Sequence, residues 1–178
     1  MEIKNNYNIE GFAVLLNEDC ISERYYPLIP YRDSITCNLA ACGCRTKADC
    51  QALTDAELVR CGLPEGLTAL FRRFLCLYDC KGKGIKDIPN AEKRSIDEIC
   101  SLAELMRLPG VKAIRAELYL QCGYKSLIDI AKTDATTMRG RIAECIASKG
   151  LSSSLPQPKE LRTQIAVAKV LTDYDEVK

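Results

Sequence analysis

Histidine and tryptophan are absent from the 178 residues. Histidine is the commonest general base, the side chain that titrates near neutral pH and the commonest metal ligand. Its absence removes Ser-His-Asp and Cys-His catalytic pairs, H-E-x-x-H zinc sites and Cys2His2 fingers. Carboxylate, lysine and cysteine chemistry stay open, yet no recognisable catalytic carboxylate motif occurs and no histidine base can stand beside a cysteine. An enzyme therefore ranks last among the readings, and no cofactor is expected. No apolar run reaches the roughly 18 residues of a membrane span, so no contact with a bilayer interior is expected. Glycine (10) and proline (7) are few and scattered, which argues against a long disordered segment. Charge of one sign is also lacking. The net charge of +1 gives no bulk attraction to nucleic acid or acidic membrane, though a local patch stays possible.

What is present is an ordinary folded composition, with 47% hydrophobic and 28% charged residues. The length suits one compact unit or two small ones. Eleven cysteines are many, and an odd number cannot all pair within the chain. The start Met1-Glu2-Ile3-Lys4-Asn5-Asn6 lacks the basic-then-apolar layout of a secretory signal. Free thiols in a reducing cytoplasm are the expectation.

The chain repeats itself at a spacing of about 79–80 residues. Ile29-Pro30-Tyr31-Arg32-Asp33-Ser34-Ile35 parallels Leu108-Pro109-Gly110-Val111-Lys112-Ala113-Ile114. Cys42-Gly43 parallels Cys122-Gly123, Thr46 and Asp49 parallel Ser126 and Asp129, and Thr54 parallels Thr133. Each copy reads as helix, tight turn, helix. Proline is expected in the first helical turn. Ile35 and Leu39, or Ile114, Leu118 and Cys122, form an apolar face. Gly43 and Gly123 are expected at left-handed C-caps. Thr46 and Ser126 with Asp49 and Asp129 suit capping boxes, and Thr54 and Thr133 suit N-caps of a third helix.

Other segments complete the plan. Ile9, Phe12, Ala13, Leu16 and Cys20 predict a short amphipathic helix. Leu67–Tyr78 predicts a stronger one, Ser95-Ile96-Asp97-Glu98 a capping box opening another, and Lys159–Leu171 a last helix. The expected organisation is a leader helix over 1–27, unit A over 28–80, a basic linker over 81–94, unit B with the C-terminal helix over 95–171, and an acidic tail over 172–178. Lys81-Gly82-Lys83-Gly84 lacks the strand and spacing of a phosphate loop and reads as connector lysines.

Leu105-Met106-Arg107-Leu108-Pro109-Gly110-Val111-Lys112-Ala113-Ile114 resembles the helix-hairpin-helix pattern. Together with Gln121-Cys122-Gly123-Tyr124-Lys125-Ser126-Leu127 and Leu155-Pro156…Ile165-Ala166-Val167-Ala168-Lys169, the layout over residues 28–171 resembles the uncharacterised family DUF4332. The resemblance implies an all-α fold of two tandem divergent helix-hairpin-helix (SAM-like) units packed together, followed by a proline-containing loop and a terminal helix. It carries no established activity. The second hairpin glycine is Lys112, and copy A has no glycine in Pro30-Tyr31-Arg32-Asp33. Such hairpins set backbone N–H groups against a phosphate, where Asp33 would repel it, so copy A reads as a structural partner.

The candidate site is the copy B hairpin: Arg107, Gly110, Val111, Lys112 and Arg115. Residues 105–150 hold eight basic and four acidic side chains, while residues 1–30 hold two basic and five acidic. That asymmetry suits a phosphate-facing side. Cys37, Cys42, Cys44, Cys50 and the Cys76-x3-Cys80 pair match no zinc or iron–sulfur spacing well, and read as small buried hydrophobes with no metal. Tyr25, Tyr26 and Tyr31 could stack on single strands but read as core-edge tyrosines. Two functions compete: a non-catalytic module touching DNA or RNA backbone through unit B, and a scaffold binding another protein. The oligomeric state stays open.

Overall fold

The computed structural model describes residues 5–77 and 85–173. The expectations for Tyr78, Cys80, the Lys81–Gly84 connector and the tail from Tyr174 lie outside them. The chain is all-α. Among the described residues ten α-helices run in order: α1 Glu10–Leu15, α2 Arg32–Ala41, α3 Lys47–Ala52, α4 Asp55–Arg60, α5 Thr68–Leu75, α6 Ile96–Leu105, α7 Ala113–Gln121, α8 Leu127–Ala131, α9 Ala135–Lys149 and α10 Pro158–Asp173. Among the described residues no helix is long and apolar enough to cross a membrane.

The internal repeat is written in hydrogen bonds at a constant spacing of eighty residues. The N–H groups of Cys42, Gly43 and Cys44 donate to the carbonyls of Asn38, Ala40 and Leu39, each at 3.0 Å. Those of Cys122, Gly123 and Tyr124 donate to Leu118, Leu120 and Tyr119, again each at 3.0 Å. Gly43 and Gly123 have φ of +86° and +90°. Thr46 with Asp49, and Ser126 with Asp129, then close identical capping boxes on α3 and α8. Each box satisfies backbone donors that a helix start leaves without partners. The core follows the same register: Cys44 and Tyr124, Cys50 and Ile130, Leu58 and Met138 are all buried.

This register corrects several expectations. The third-helix cap equivalent to Thr54 is Asp134, not Thr133, because the extra residue of copy B precedes α7's end and shifts everything after it. Asp134 accepts from the N–H groups of Thr136 and Thr137. Ile114 leaves the core face and is 78% exposed, while Ala116, Leu118 and Tyr119 turn inward. Neither proline opens an α-helix. Pro30 lies in a 3-10 segment, Glu23–Tyr31, ahead of α2, and Pro109 lies in the turn before α7, whose N-cap position is Lys112. The first helix ends at Leu15, short of Cys20. The helix expected over Leu67–Tyr78 spans Thr68–Leu75.

All three phenylalanines meet in one cluster. Phe12 of α1 lies edge-on to Phe71 and Phe74 of α5 at centroid distances of 6.1 and 6.0 Å. Tyr25 packs edge-on against Phe74 and is 5% exposed, so it is a core residue and no stacking platform; Tyr26 and Tyr31 are partly buried. The segment before α1 pairs with the start of α3: the Ile9 N–H donates to Arg45 O and the Lys47 N–H to Tyr7 O. The two halves of the chain join through α10. It packs on α8, α9 and α1, burying Leu161, Ile165, Val167, Ala168, Val170 and Leu171. Its Thr163 hydroxyl donates to Cys20 O at 3.2 Å, and its Arg162 pairs with Asp19 at 3.0 Å.

Candidate nucleic-acid interface

The α6–α7 turn is built by burial at both ends. Leu105 and Leu108 before it, and Val111 after it, are fully buried. The Leu108 N–H donates to Leu105 O and the Val111 N–H to Leu108 O. Gly110 sits exposed at φ +73° between them. A Cβ there would meet nothing within 4 Å, so glycine is required by backbone conformation and not by space. Lys112 follows as the N-cap of α7 in extended conformation, its side chain making no cap hydrogen bond. Lys112 is exposed.

A buried residue that the sequence pattern does not flag holds this turn. Gln164 of α10 is 0% exposed. Its Nε2 donates to Pro109 O at 3.1 Å and to Glu160 Oε1 at 3.3 Å. Its Oε1 accepts from the Tyr119 hydroxyl at 2.6 Å. Burial pushes the Tyr119 phenol well above its ordinary pKa, so this donor keeps its proton through the neutral range. A glutamine among aliphatic residues at helical spacing looks like a surface position in sequence. The only available signal is that it falls on the same face as Leu161, Ala168 and Leu171.

The five candidate residues separate into two groups. Val111 is a core anchor. Arg107 is half-buried against Asn5: its Nε donates to Asn5 Oδ1 at 3.1 Å, and Asn5 Nδ2 donates back to Arg107 O at 3.1 Å. Asn5 O in turn accepts from the buried Lys47 Nζ at 3.1 Å, and this ammonium lies 5.8 Å from the Tyr7 ring centroid. The first and second halves are thereby stitched at the α6–α7 turn. Arg115 donates to Ser154 O at 2.7 Å and lies 3.8 Å from Glu160. Gly110 and Lys112 are the candidate residues that face solvent. Of the other copy B cations, Arg139 donates to Pro156 O, Arg141 lies over the Tyr124 ring, and Lys149 donates to Gln121 O. The basic balance of this segment is therefore spent largely on internal bonds.

Copy A lacks an equivalent turn. Its 3-10 segment runs into α2 without a glycine, and Asp33 pairs with Arg32 at 3.1 Å.

Beside the turn, Ala113, Ile114, Leu118 and Leu151 line a shallow, mostly apolar groove of about 180 Å³, with Arg94 and Glu117 at its edge. Those two pair at 2.8 Å. Ile96, at the start of α6, is 79% exposed.

The cysteines divide more evenly than expected. Cys20, Cys44, Cys50, Cys61, Cys122 and Cys145 are buried, but Cys37, Cys42, Cys76 and Cys100 are exposed. Burial pushes Cys61 up to about 11 and Cys122 up to about 12. Among the described residues no three His, Cys, Asp or Glu side chains converge on a point that could hold a metal ion.

Residues 80–171, just over half of the chain, match the family model described as a domain of unknown function, DUF4332. No curated protein and no solved structure matches.

Proposed function

The chain belongs to the DUF4332 family, and on that footing we propose that it is a non-catalytic binding module of two tandem, divergent helix-hairpin-helix units. Its second unit contacts the phosphate backbone of DNA or RNA without reading sequence. The observation that carries this reading is the turn itself. An exposed left-handed glycine and an exposed lysine stand at an α7 N-terminus that no side chain caps. Such an end offers backbone N–H groups and the positive pole of the helix to an anion. Arg107 and Arg115 support it from behind, by stiffening the turn rather than reaching outward. With so few outward cations the affinity should be modest and strongly salt-dependent.

The experiment is a salt series of binding to a labelled duplex and a labelled single strand, with Lys112→Glu beside the parent. Binding that weakens steeply with salt, and a smaller salt slope in the variant, by about one unit for one lost phosphate contact, support the reading. Affinity for both strands unchanged by Lys112→Glu at low salt overturns it.

A second reading has its own support. Ile114, 78% exposed, lines the apolar groove, and an exposed isoleucine at such a place suits a protein partner. Binding of that kind would tolerate salt.

A further inference from the structure

We infer that Cys42 and Cys61 form a redox-responsive dithiol that closes to a disulfide when the protein meets a peroxide. The Cys61 thiol donates to Cys42 Sγ at 3.0 Å across nineteen residues of chain. Cys42 ends α2 on the exposed side, and Cys61 ends α4 at 4% exposure. One sulfur thus faces an oxidant in water while the other waits behind it. The arrangement is held in place by the backbone. Asn38 Nδ2 donates to Cys61 O at 2.8 Å, and Gly62 leaves the room for it, since a Cβ there would lie 2.8 Å from that nitrogen. The ends of α2 and α4 are therefore in register before any oxidation.

The chemistry balances in two steps. The Cys42 sulfur attacks one peroxide oxygen, the O–O bond breaks, and Cys42 becomes a sulfenic acid as one water leaves. The Cys61 sulfur attacks the sulfenic sulfur, forming the S–S bond and releasing a second water with the remaining proton. Two thiols are oxidised by two electrons and one hydrogen peroxide is reduced to two waters. Burial raises the pKa of the Cys61 thiol and shields it from solvent, so the exposed Cys42 is the one that meets peroxide first. In copy B the counterpart of Cys42, Cys122, lies instead against Cys145, since the position matching Cys61 is Arg141. Both of those thiols are buried, at 9% and 8% exposure, so water-borne peroxide spares them. The closed bond would tie α2 to α4 around α3 and stiffen the first half of the chain.

The test exposes the fully reduced chain to hydrogen peroxide at low protein concentration, alkylates the remaining thiols, and maps the peptides by mass spectrometry. The expected result is a linked pair holding Cys42 and Cys61, lighter by two hydrogens, lost on reduction and absent from Cys42→Ser and Cys61→Ser. The exposed Cys42→Ser retains the fold, so its failure to link is interpretable. Melting of the parent should shift upward on oxidation and return on reduction, with no shift in Cys42→Ser. Recovery of both thiols alkylated under conditions that oxidise the exposed Cys37, or Cys42 recovered as a sulfinic acid or joined to another cysteine, overturns the inference.

Discussion

The Tyr119 hydroxyl donates to Gln164 Oε1 at 2.6 Å, with both side chains fully buried. Through Gln164 Nε2 that bond continues to the carbonyl of Pro109 in the exposed turn. A polar chain inside the core thus sets the shape of a surface feature. Tyr119→Phe leaves the Gln164 oxygen without its donor and should cost about 1–2 kcal/mol. Gln164→Leu strands both the tyrosine and the proline carbonyl and should cost about 2–4 kcal/mol. Tyr124 supplies the contrast, because its buried hydroxyl has no hydrogen-bond partner among the described residues. Tyr124→Phe should be neutral or slightly stabilising. Urea unfolding of the three variants checks the order, and equal losses in Tyr119→Phe and Tyr124→Phe would refute it.

The hairpin arginines and lysine should part company in experiment. Arg107→Ala removes the bond to Asn5, and Arg115→Ala removes the bond to Ser154. Each should lower stability by about 1 kcal/mol. Lys112→Ala should leave stability within about 0.5 kcal/mol and lower nucleic-acid affinity more than either arginine change. Denaturation and binding on the same preparations decide it.

Two glycines with nearly equal backbone angles should differ in their tolerance. At Gly43 (φ +86°) a Cβ meets nothing within 4 Å, whereas at Gly62 (φ +89°) it would lie 2.8 Å from Asn38 Nδ2. Gly43→Ala should cost about 1 kcal/mol, from the left-handed conformation alone. Gly62→Ala adds the displaced Asn38 bond and should cost roughly 2–3 kcal/mol. Thermal or urea unfolding of the pair measures the difference.

The capping carboxylates predict an acid limb. Hydrogen bonds from backbone and hydroxyl groups hold Asp49, Glu57, Glu98 and Asp134 below their ordinary pKa values. A depressed folded pKa contributes stability that is fully present above the unfolded value of about 4. It is lost as the pH falls through the folded value. The urea midpoint should therefore fall as the pH drops below about 4. The gap between the parent and Glu98→Gln should narrow over the same range. A gap that is constant from pH 6 to pH 3 would exclude the mechanism for that cap.

Local chemistry made much of the fold legible. Thr46 with Asp49, Ser126 with Asp129 and Ser95 with Glu98 are short-range signatures, and each forms its capping box. The glycine turns after α2 and α7 follow from the same kind of evidence. What failed depends on partners far along the chain. Ile114 fits an apolar period, yet the Gly110–Lys112 turn delays α7 and rotates that position into water. Arg107 and Arg115 look like outward cations, but Asn5 and Ser154, distant in sequence, receive their hydrogen bonds. Thr133 and Asp134 are adjacent cap-formers, and only tertiary register chooses between them. Gln164 is invisible to a hydrophobic pattern because its burial depends on two polar partners on other segments.

The dependence of the Pro109 turn on α10 also sets a time. During synthesis the turn leaves the ribosome well before Gln164 does. A growing chain therefore carries Gly110 and Lys112 without the amide that holds them in shape. Full fixing of the turn therefore waits on docking of α10 against α8 and α1. A copy in which α10 has not docked would hold those two residues less firmly, so a rigid turn reports that α10 is in place.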